Sequence, residues 1–288
     1  MYDCIVIGCG PSGLLAALTL HEGGRDVVVL EARNRIGGRT HSKLVSDGSV
    51  VERGGQVLHG PTIATWEFVS KLGLKTHLSG SSDSGASALF TDGKWVREDP
   101  VSAEAWEKLD GVLGVPNPDN ISLKDALIDA GLRGEVLEAA ERMCSVGAPM
   151  LPEKLSARNA SEIHHCFDSF SDPITGVSRT GNPNFRLVDG YSNLWKKMSG
   201  PISELIHFDT PVTKLVWSAG QVEAHTPVGT FEAKTVIVTL PVGVLQSGSL
   251  SFDPVLPHSK TEAIDTFDPG PLILVTAEFK HRWWEKVI

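Results

Sequence analysis

The stretch that decides the fold is Cys4-Ile5-Val6-Ile7-Gly8-Cys9-Gly10-Pro11-Ser12-Gly13. Its first four residues are apolar and partly β-branched, the composition of a strand buried on both faces of a parallel sheet. Gly8, Gly10 and Gly13 then follow in the spacing G-x-G-x-x-G. Each answers a different steric demand: Gly8 a tight turn, Gly10 the close approach of a pyrophosphate to the backbone, Gly13 the close packing of a helix on the strand. Residues 14–21 read as that helix, with Leu14, Leu15, Ala17 and Leu18 available for burial and Gly23-Gly24 ending it. Its N-terminus presents free N–H groups and a positive dipole end to phosphates. Residues 26–30 form a second apolar strand that runs into Glu31, 18 residues after Gly13. A carboxylate there can accept hydrogen bonds from ribose hydroxyls, each worth roughly 1.5 to 3 kcal/mol when charge-assisted, and would repel a 2′-phosphate.

A G-x-G-x-x-G by itself fits many tight loops; strand, glycines, helix, strand and acid in order specify a dinucleotide site. The following segment, Glu31-Ala32-Arg33-Asn34-Arg35-Ile36-Gly37-Gly38-Arg39-Thr40, narrows the ligand. Here the sequence resembles the flavin-containing amine oxidase family, which includes monoamine, polyamine and L-amino-acid oxidases and histone lysine demethylases of the oxidase type. The resemblance implies FAD as cofactor. It implies that Glu31 binds ribose, and that Ala32, Arg33, Gly37, Gly38 and Arg39, with Gly8, Gly10, Pro11, Ser12 and Gly13, line the pyrophosphate and the approach to the flavin. An arginine in such a place can neutralise a diphosphate that backbone amides only partly compensate.

Length and composition bound the remaining possibilities. With 288 residues and 41% hydrophobic content the chain can build two domains or one large α/β domain. Its net charge of −9, without a Lys/Arg stripe, argues against a nucleic-acid partner or an anionic membrane surface. Cys4, Cys9, Cys144 and Cys166 show neither metal-ligand spacing nor a disulfide framework, so a reducing, cytoplasmic setting is expected, and no metal. The uncharged run 4–20 is interrupted by Gly and Pro and has no basic residue before it, so it is read as the nucleotide site rather than a targeting segment.

Along the chain, residues 42–51 read as a hairpin turned at Asp47-Gly48 and lead into Glu52-Arg53-Gly54-Gly55-Gln56-Val57. In the family an acid and paired small residues bring backbone close to the isoalloxazine ring, so the resemblance places the segment that Glu52 opens, with Gly54, Gly55, Gln56 and Val57, beside it, where a planar ring leaves no room for Cβ atoms; the alternative is a loop between strand and helix. His59 is read as structural. Residues 61–72 have helical spacing closed by Gly73, residues 88–96 a hairpin, and residues 102–140 an interrupted helical insertion suited to covering a substrate cavity. His164 and His165 are adjacent in a helical stretch and point apart, so they suggest no metal. Asp189-Gly190-Tyr191-Ser192 resembles the family's return to the cofactor domain, followed by a helix expected over 194–206. A β-meander follows over 212–217, 222–226 and 230–233, then a separate buried strand over 236–240. By resemblance Val212 offers its backbone to adenine, while Thr239 and Pro241 mark where the chain leaves the cofactor domain beside the flavin.

The expected fold is α/β: an FAD/NAD(P)-binding Rossmann-like domain of parallel sheet plus β-meander, with a second α+β substrate domain. Residues 1–60 and 185–248 are assigned to the first, 61–184 and 249–288 to the second. The resemblance implies oxidation of the C–N bond of an amine or amino acid to an imine, with O₂ reoxidising the flavin and no side chain required as a catalytic residue. Two departures qualify it. Residues 270–279 read as a strand in which Leu274 stands where amine oxidases usually carry a water-binding lysine. Family members also continue beyond this length, which implies a truncated product or a second chain completing the fold, with FAD bound weakly by this chain alone. A desaturase-like flavoenzyme is the alternative on the same fold.

Overall fold

The computed structural model describes residues 1–60, 63–79, 89–91, 93–96, 100–147, 150–165, 169–171, 178–180, 184–270 and 272–281. β1 (Tyr2–Ile7), α1 (Pro11–Glu22) and β2 (Val27–Leu30) form a parallel β-α-β unit with Cys4 opposite Val27 and Ile7 opposite Leu30. All four residues of β2 and the last four of β1 are buried, as a strand covered on both faces must be. α1 buries Gly13, Leu14, Ala17 and Leu18. Leu15, expected to be available for burial, faces solvent at 41% exposure, since the 100° step between neighbours turns it off the stripe. Gly24 in the left-handed region, φ +71°, completes the turn out of the helix.

Around β1 and β2 runs a seven-stranded sheet in the order Ile206–His207, β2, β1, Gly229–Val238, Gln221–Thr226, Lys214–Ser218, Ser251–Asp253. The strands nearest β1 on both sides are parallel to it, and the meander beyond is antiparallel. The two strands expected over 230–233 and 236–240 are one continuous strand, Gly229–Val238. Its Ala233 sits opposite Tyr2 on one side and Val222 on the other. No glycine or proline stands between the two halves to turn the chain. The polar residues at the joint are held by Asp3: Lys234 Nζ pairs with its carboxylate at 2.6 Å and Thr235 Oγ1 donates to its carbonyl at 2.9 Å. Ile5, Ile7, Val28, Leu30, Leu215, Val222 and Ala224 pack together across this sheet, each large side chain worth about 1.5–3 kcal/mol on burial.

The helix expected over 194–206 divides into Tyr191–Met198 and the 3₁₀ segment Gly200–Leu205. Pro201 lacks the N–H that would continue the first helix. β3 (Ser42–Leu44) and β4 (Val50–Glu52) make the expected hairpin, with Gly48 at φ +82° and the Ser49 amide donating to Asp47 Oδ1 at 2.8 Å.

By its internal contacts the chain forms two compact units: Met1–Val57, Glu67–Thr76 and Arg186–Pro269 in the first, Leu58–Trp66, His77–Phe185 and Gly270–Ile288 in the second. The second unit holds the helices Pro100–Leu113, Leu123–Asp129, Gly134–Gly147 and Ala157–His165, closed around Ala105, Leu109, Leu123, Leu127, Leu132 and Ala140. Ser122 starts one of them by accepting the Asp125 amide at 3.0 Å. His59 lies there too, its Nδ1 2.9 Å from Asn184 Oδ1. Residues 272–279, expected to form a strand, take no regular structure. Leu272, Ile273 and Val275 are more than three-quarters exposed; a strand exists only through a ladder to a neighbour, and this segment has none among the described residues. Among the described residues no helix is long and apolar enough to cross a membrane.

Candidate dinucleotide site

The glycine turn lies where β1 ends and α1 begins, within the first unit. Gly8 has φ +96° and its amide donates to the Leu30 carbonyl at 2.9 Å, tying the turn to the end of β2. Gly13 is fixed by the protein itself, because a Cβ there would run into the carbonyl oxygen of Gly8 and lie 2.7 Å from Thr239 Oγ1. That hydroxyl donates to the Ile7 carbonyl at 2.9 Å, so Thr239 underpins the turn. Gly10 differs. Its φ of −74° suits any residue, and a Cβ on it would meet only Gly38 Cα, at an ordinary 3.8 Å. No atom of the described residues requires a glycine at position 10. The space it leaves open borders the start of α1, where Pro11 occupies the first turn and Leu14 makes the bond to Gly10 at 2.9 Å. The amides of Ser12 and Gly13 precede that ladder and have no partner within the helix.

Glu31 is 7% exposed, and each carboxylate oxygen takes one backbone amide: Oε2 that of Cys9 at 2.7 Å, Oε1 that of Arg33 at 2.9 Å. A carboxylate has about four lone-pair sites, so acceptor capacity remains for two hydroxyls. Burial, with Glu31 beside it, pushes the Cys9 thiol up to about 12. Cys9 is therefore an inert, protonated filler of the turn.

The loop after Glu31 is shaped by an arginine whose role the sequence reading did not identify. Arg35 donates Nη1 to the carbonyls of Ile36 and Thr40, both at 3.2 Å, and Nη2 to that of Gly38 at 2.9 Å. Burial and the neighbouring Arg33 hold its pKa below the usual guanidinium value. Gly37, φ +94°, donates to the Cys9 carbonyl at 2.9 Å, and Gly38, φ +54°, lies against Gly10. Arg33 and Arg39 are left exposed, as is Ala32. A cavity of about 400 Å³ behind this loop is lined by Arg35, Ile36, His41, Lys196, Ser199 and Phe208, not by the glycine turn.

Arg39 meets the second candidate element. Gly55 donates to its carbonyl at 3.0 Å, and a Cβ on Gly54 would strike that same oxygen. The glycine at 54 is thus required by the protein's own backbone, whatever ligand lies nearby. Gln56 and Val57 follow half-buried, Val212 is buried in the sheet core, and Pro241 caps the short helix Val242–Gln246. The structure places Gly8, Gly10, Gly13, Glu31, Gly37, Gly38 and Thr239 in one connected cluster, with Arg39, Gly54 and Gly55 joined to it through the loop.

Parallel strands, a glycine turn at a helix N-terminus and an acid ending the second strand together define the fold of the dinucleotide-binding class. The chain belongs to the flavin containing amine oxidoreductase family, whose model matches residues 11–288. It is 30% identical to the putrescine oxidase of Kocuria rosea, over 98% of this chain and 65% of that one, and 27% identical to human lysine-specific histone demethylase 2, over 99% and 35%. A polyamine oxidase 2 from Arabidopsis thaliana is 28% identical, over 98% and 60%. The chain thus spans between about a third and two thirds of the length of these relatives. Among solved structures, putrescine oxidase bound to putrescine has a TM-score of 0.71 at 24% identity, covering 92% of this chain and 63% of that one. Cyclohexylamine oxidase from Brevibacterium oxydans has 0.72 at 22%, with the same coverage. At these identities the structural likeness speaks to the fold.

Proposed function

We propose that the first unit holds FAD and that the second contributes to the substrate side of an oxidase acting on the C–N bond of a small amine or amino acid, with O₂ as acceptor. The observation that carries this reading is Gly10: a residue whose missing side chain serves nothing within the protein, at the one place where a pyrophosphate would lie against the start of α1. In this reading the amides of Ser12 and Gly13 face the pyrophosphate, Arg33 and Arg39 neutralise it, and Glu31 holds the ribose. Val212 offers backbone to adenine, and residues 54–57, Thr239 and Pro241 border the flavin. Bound there, FAD supplies the acceptor for hydride from the C–H beside a neutral amine. The chain's contribution is to bind, orient and exclude water, and no residue is assigned as catalytic. Leu274 carries no group that could hold a water. Cys4, Cys9 and Cys144 are free thiols, which fits a reducing, cytoplasmic setting.

A second reading is favoured by the exposed run Leu272, Ile273 and Val275: the flavin end is completed by further polypeptide or a second chain, and this chain alone binds FAD weakly. Titrating the purified chain with FAD and then adding amines anaerobically separates the two. The first reading expects saturable quenching of flavin fluorescence and bleaching by an amine; bound flavin that no amine bleaches would remove oxidase activity from this chain alone.

A further inference from the structure

We propose that the cavity of about 400 Å³ behind the 34–41 loop is a binding site for a small organic carboxylate, an acid with an apolar body, whose charged end pairs with Lys196. The glycine turn does not line this cavity, so the inference goes beyond the FAD reading and does not rest on it.

The cavity lies within the first unit, between the loop that follows Glu31 and the helix Tyr191–Met198 with its 3₁₀ continuation. Its size falls at the small end of ligand pockets, which run about 300–1,000 Å³. The walls divide by chemistry. Ile36, Ile206 and Phe208 are apolar, while Arg35, His41 and Lys196 are basic. No carboxylate stands among the described lining residues, in a chain whose net charge is −9. Positive charge gathered in a concave, partly apolar place with no acid beside it attracts anions.

The polar groups of the wall differ in how far they are already committed. Arg35 is fixed by its three bonds to loop carbonyls and supplies charge rather than a free fork. Lys196 makes no ion pair or side-chain hydrogen bond among the described residues. Ser192, 7% exposed, accepts the Ser42 amide at 2.8 Å, while its own hydroxyl proton has no acceptor among those residues. A buried donor in that state favours a ligand oxygen. Ser199 and Ser203 also line the cavity but spend their protons on the carbonyls of Lys196 and Gly200, at 2.9 and 3.1 Å. Burial, and then Arg35, Arg53 and Arg33, hold the His41 pKa below the ordinary imidazole value against the opposing effect of Glu52, so at neutral pH the ring is uncharged and offers one N–H. Among the described lining residues, one uncommitted cation, one fixed cation and two neutral donors match the single charge of a carboxylate. A phosphate dianion would ask for more. The apolar walls take the body of the acid.

The test titrates the chain with sodium benzoate and, separately, with inorganic phosphate by isothermal calorimetry, beside its Lys196→Met and Lys197→Met variants. Lys197 is the neighbouring exposed lysine of the same helix and does not line the cavity. Benzoate is expected to bind saturably, and Lys196→Met, which keeps an apolar stem at an exposed helix position, to weaken it on the order of tenfold or more. Lys197→Met should leave benzoate affinity within about twofold, and saturating FAD should leave it unchanged. No saturable benzoate binding, or equal affinity in Lys196→Met, would overturn the site. Phosphate binding more tightly than benzoate would overturn the carboxylate assignment, and displacement of benzoate by FAD would put the probe in the nucleotide site and overturn the proposal as well.

Discussion

The glycines of the turn and of the hairpin base are glycine for different reasons, and the difference runs through the turn itself. At the hairpin base, Gly54 is filled against the Arg39 carbonyl, and in the turn Gly13 is filled against that of Gly8; of these three, Gly10 alone has ordinary backbone angles and open space where its side chain would be. The same residue type records a packing constraint in one place and a reserved volume in the other. A motif match cannot tell these apart, but the atoms surrounding a hypothetical Cβ can.

The sharpest way to break this contrast is to add that Cβ. Gly13→Ala and Gly54→Ala are each expected to lower the unfolding free energy by at least about 3 kcal/mol, read as the urea midpoint, because the obstructing atoms are backbone. Gly10→Ala should not lower the midpoint, and by restricting the unfolded chain it should raise the unfolding free energy by about 0.4–1 kcal/mol. A stable Gly54→Ala would dissolve the distinction between Gly54 and Gly10. Next in size is Glu31→Ala, which removes the partner of two amides as well as the proposed ribose acceptor; FAD affinity should fall on the order of tenfold or more by fluorescence titration. Unchanged affinity would separate Glu31 from the ligand and leave it a purely structural acceptor.

The smallest effect concerns the thiol inside the turn. The folded-state pKa of Cys9 is raised to about 12 from 9.0 by burial and then by Glu31. The unfolded chain therefore ionises first, and the stability present below pH 9 is lost progressively as pH rises toward the folded value. Cys9→Ala should flatten this alkaline loss, and native Cys9 should resist alkylation at pH 8. Rapid alkylation of Cys9 in the folded chain would show the turn to be open.

What the sequence disclosed follows from how local each cause is. β1, α1, β2 and Glu31 were legible because a doubly covered strand must be apolar throughout and the glycine spacing is fixed within a few residues. The hairpin at Asp47-Gly48 was legible for the same reason. The continuity of Gly229–Val238 was not, since Lys234 and Thr235 interrupt its apolar pattern and their partner, Asp3, lies at the other end of the chain. Arg35 was hidden by its type: an arginine beside a phosphate motif suggests an anion, and here it serves three carbonyls. Glu52 was legible as the acid of its motif, but its bond to the Tyr191 amide was not, as helix caps are sought within a few residues of the helix they close. Residues 272–279 carry a strand's composition without a neighbour to pair with, and composition alone does not supply one.

The account stands on the volume beside Gly10. Its most direct test is the dissociation constant of FAD for Gly10→Ala measured beside that of the unaltered chain, with both confirmed folded by the urea midpoint. The account expects the variant to keep its stability and to lose FAD affinity by tenfold or more; equal affinity in the two proteins would show that nothing binds where the missing side chain leaves room.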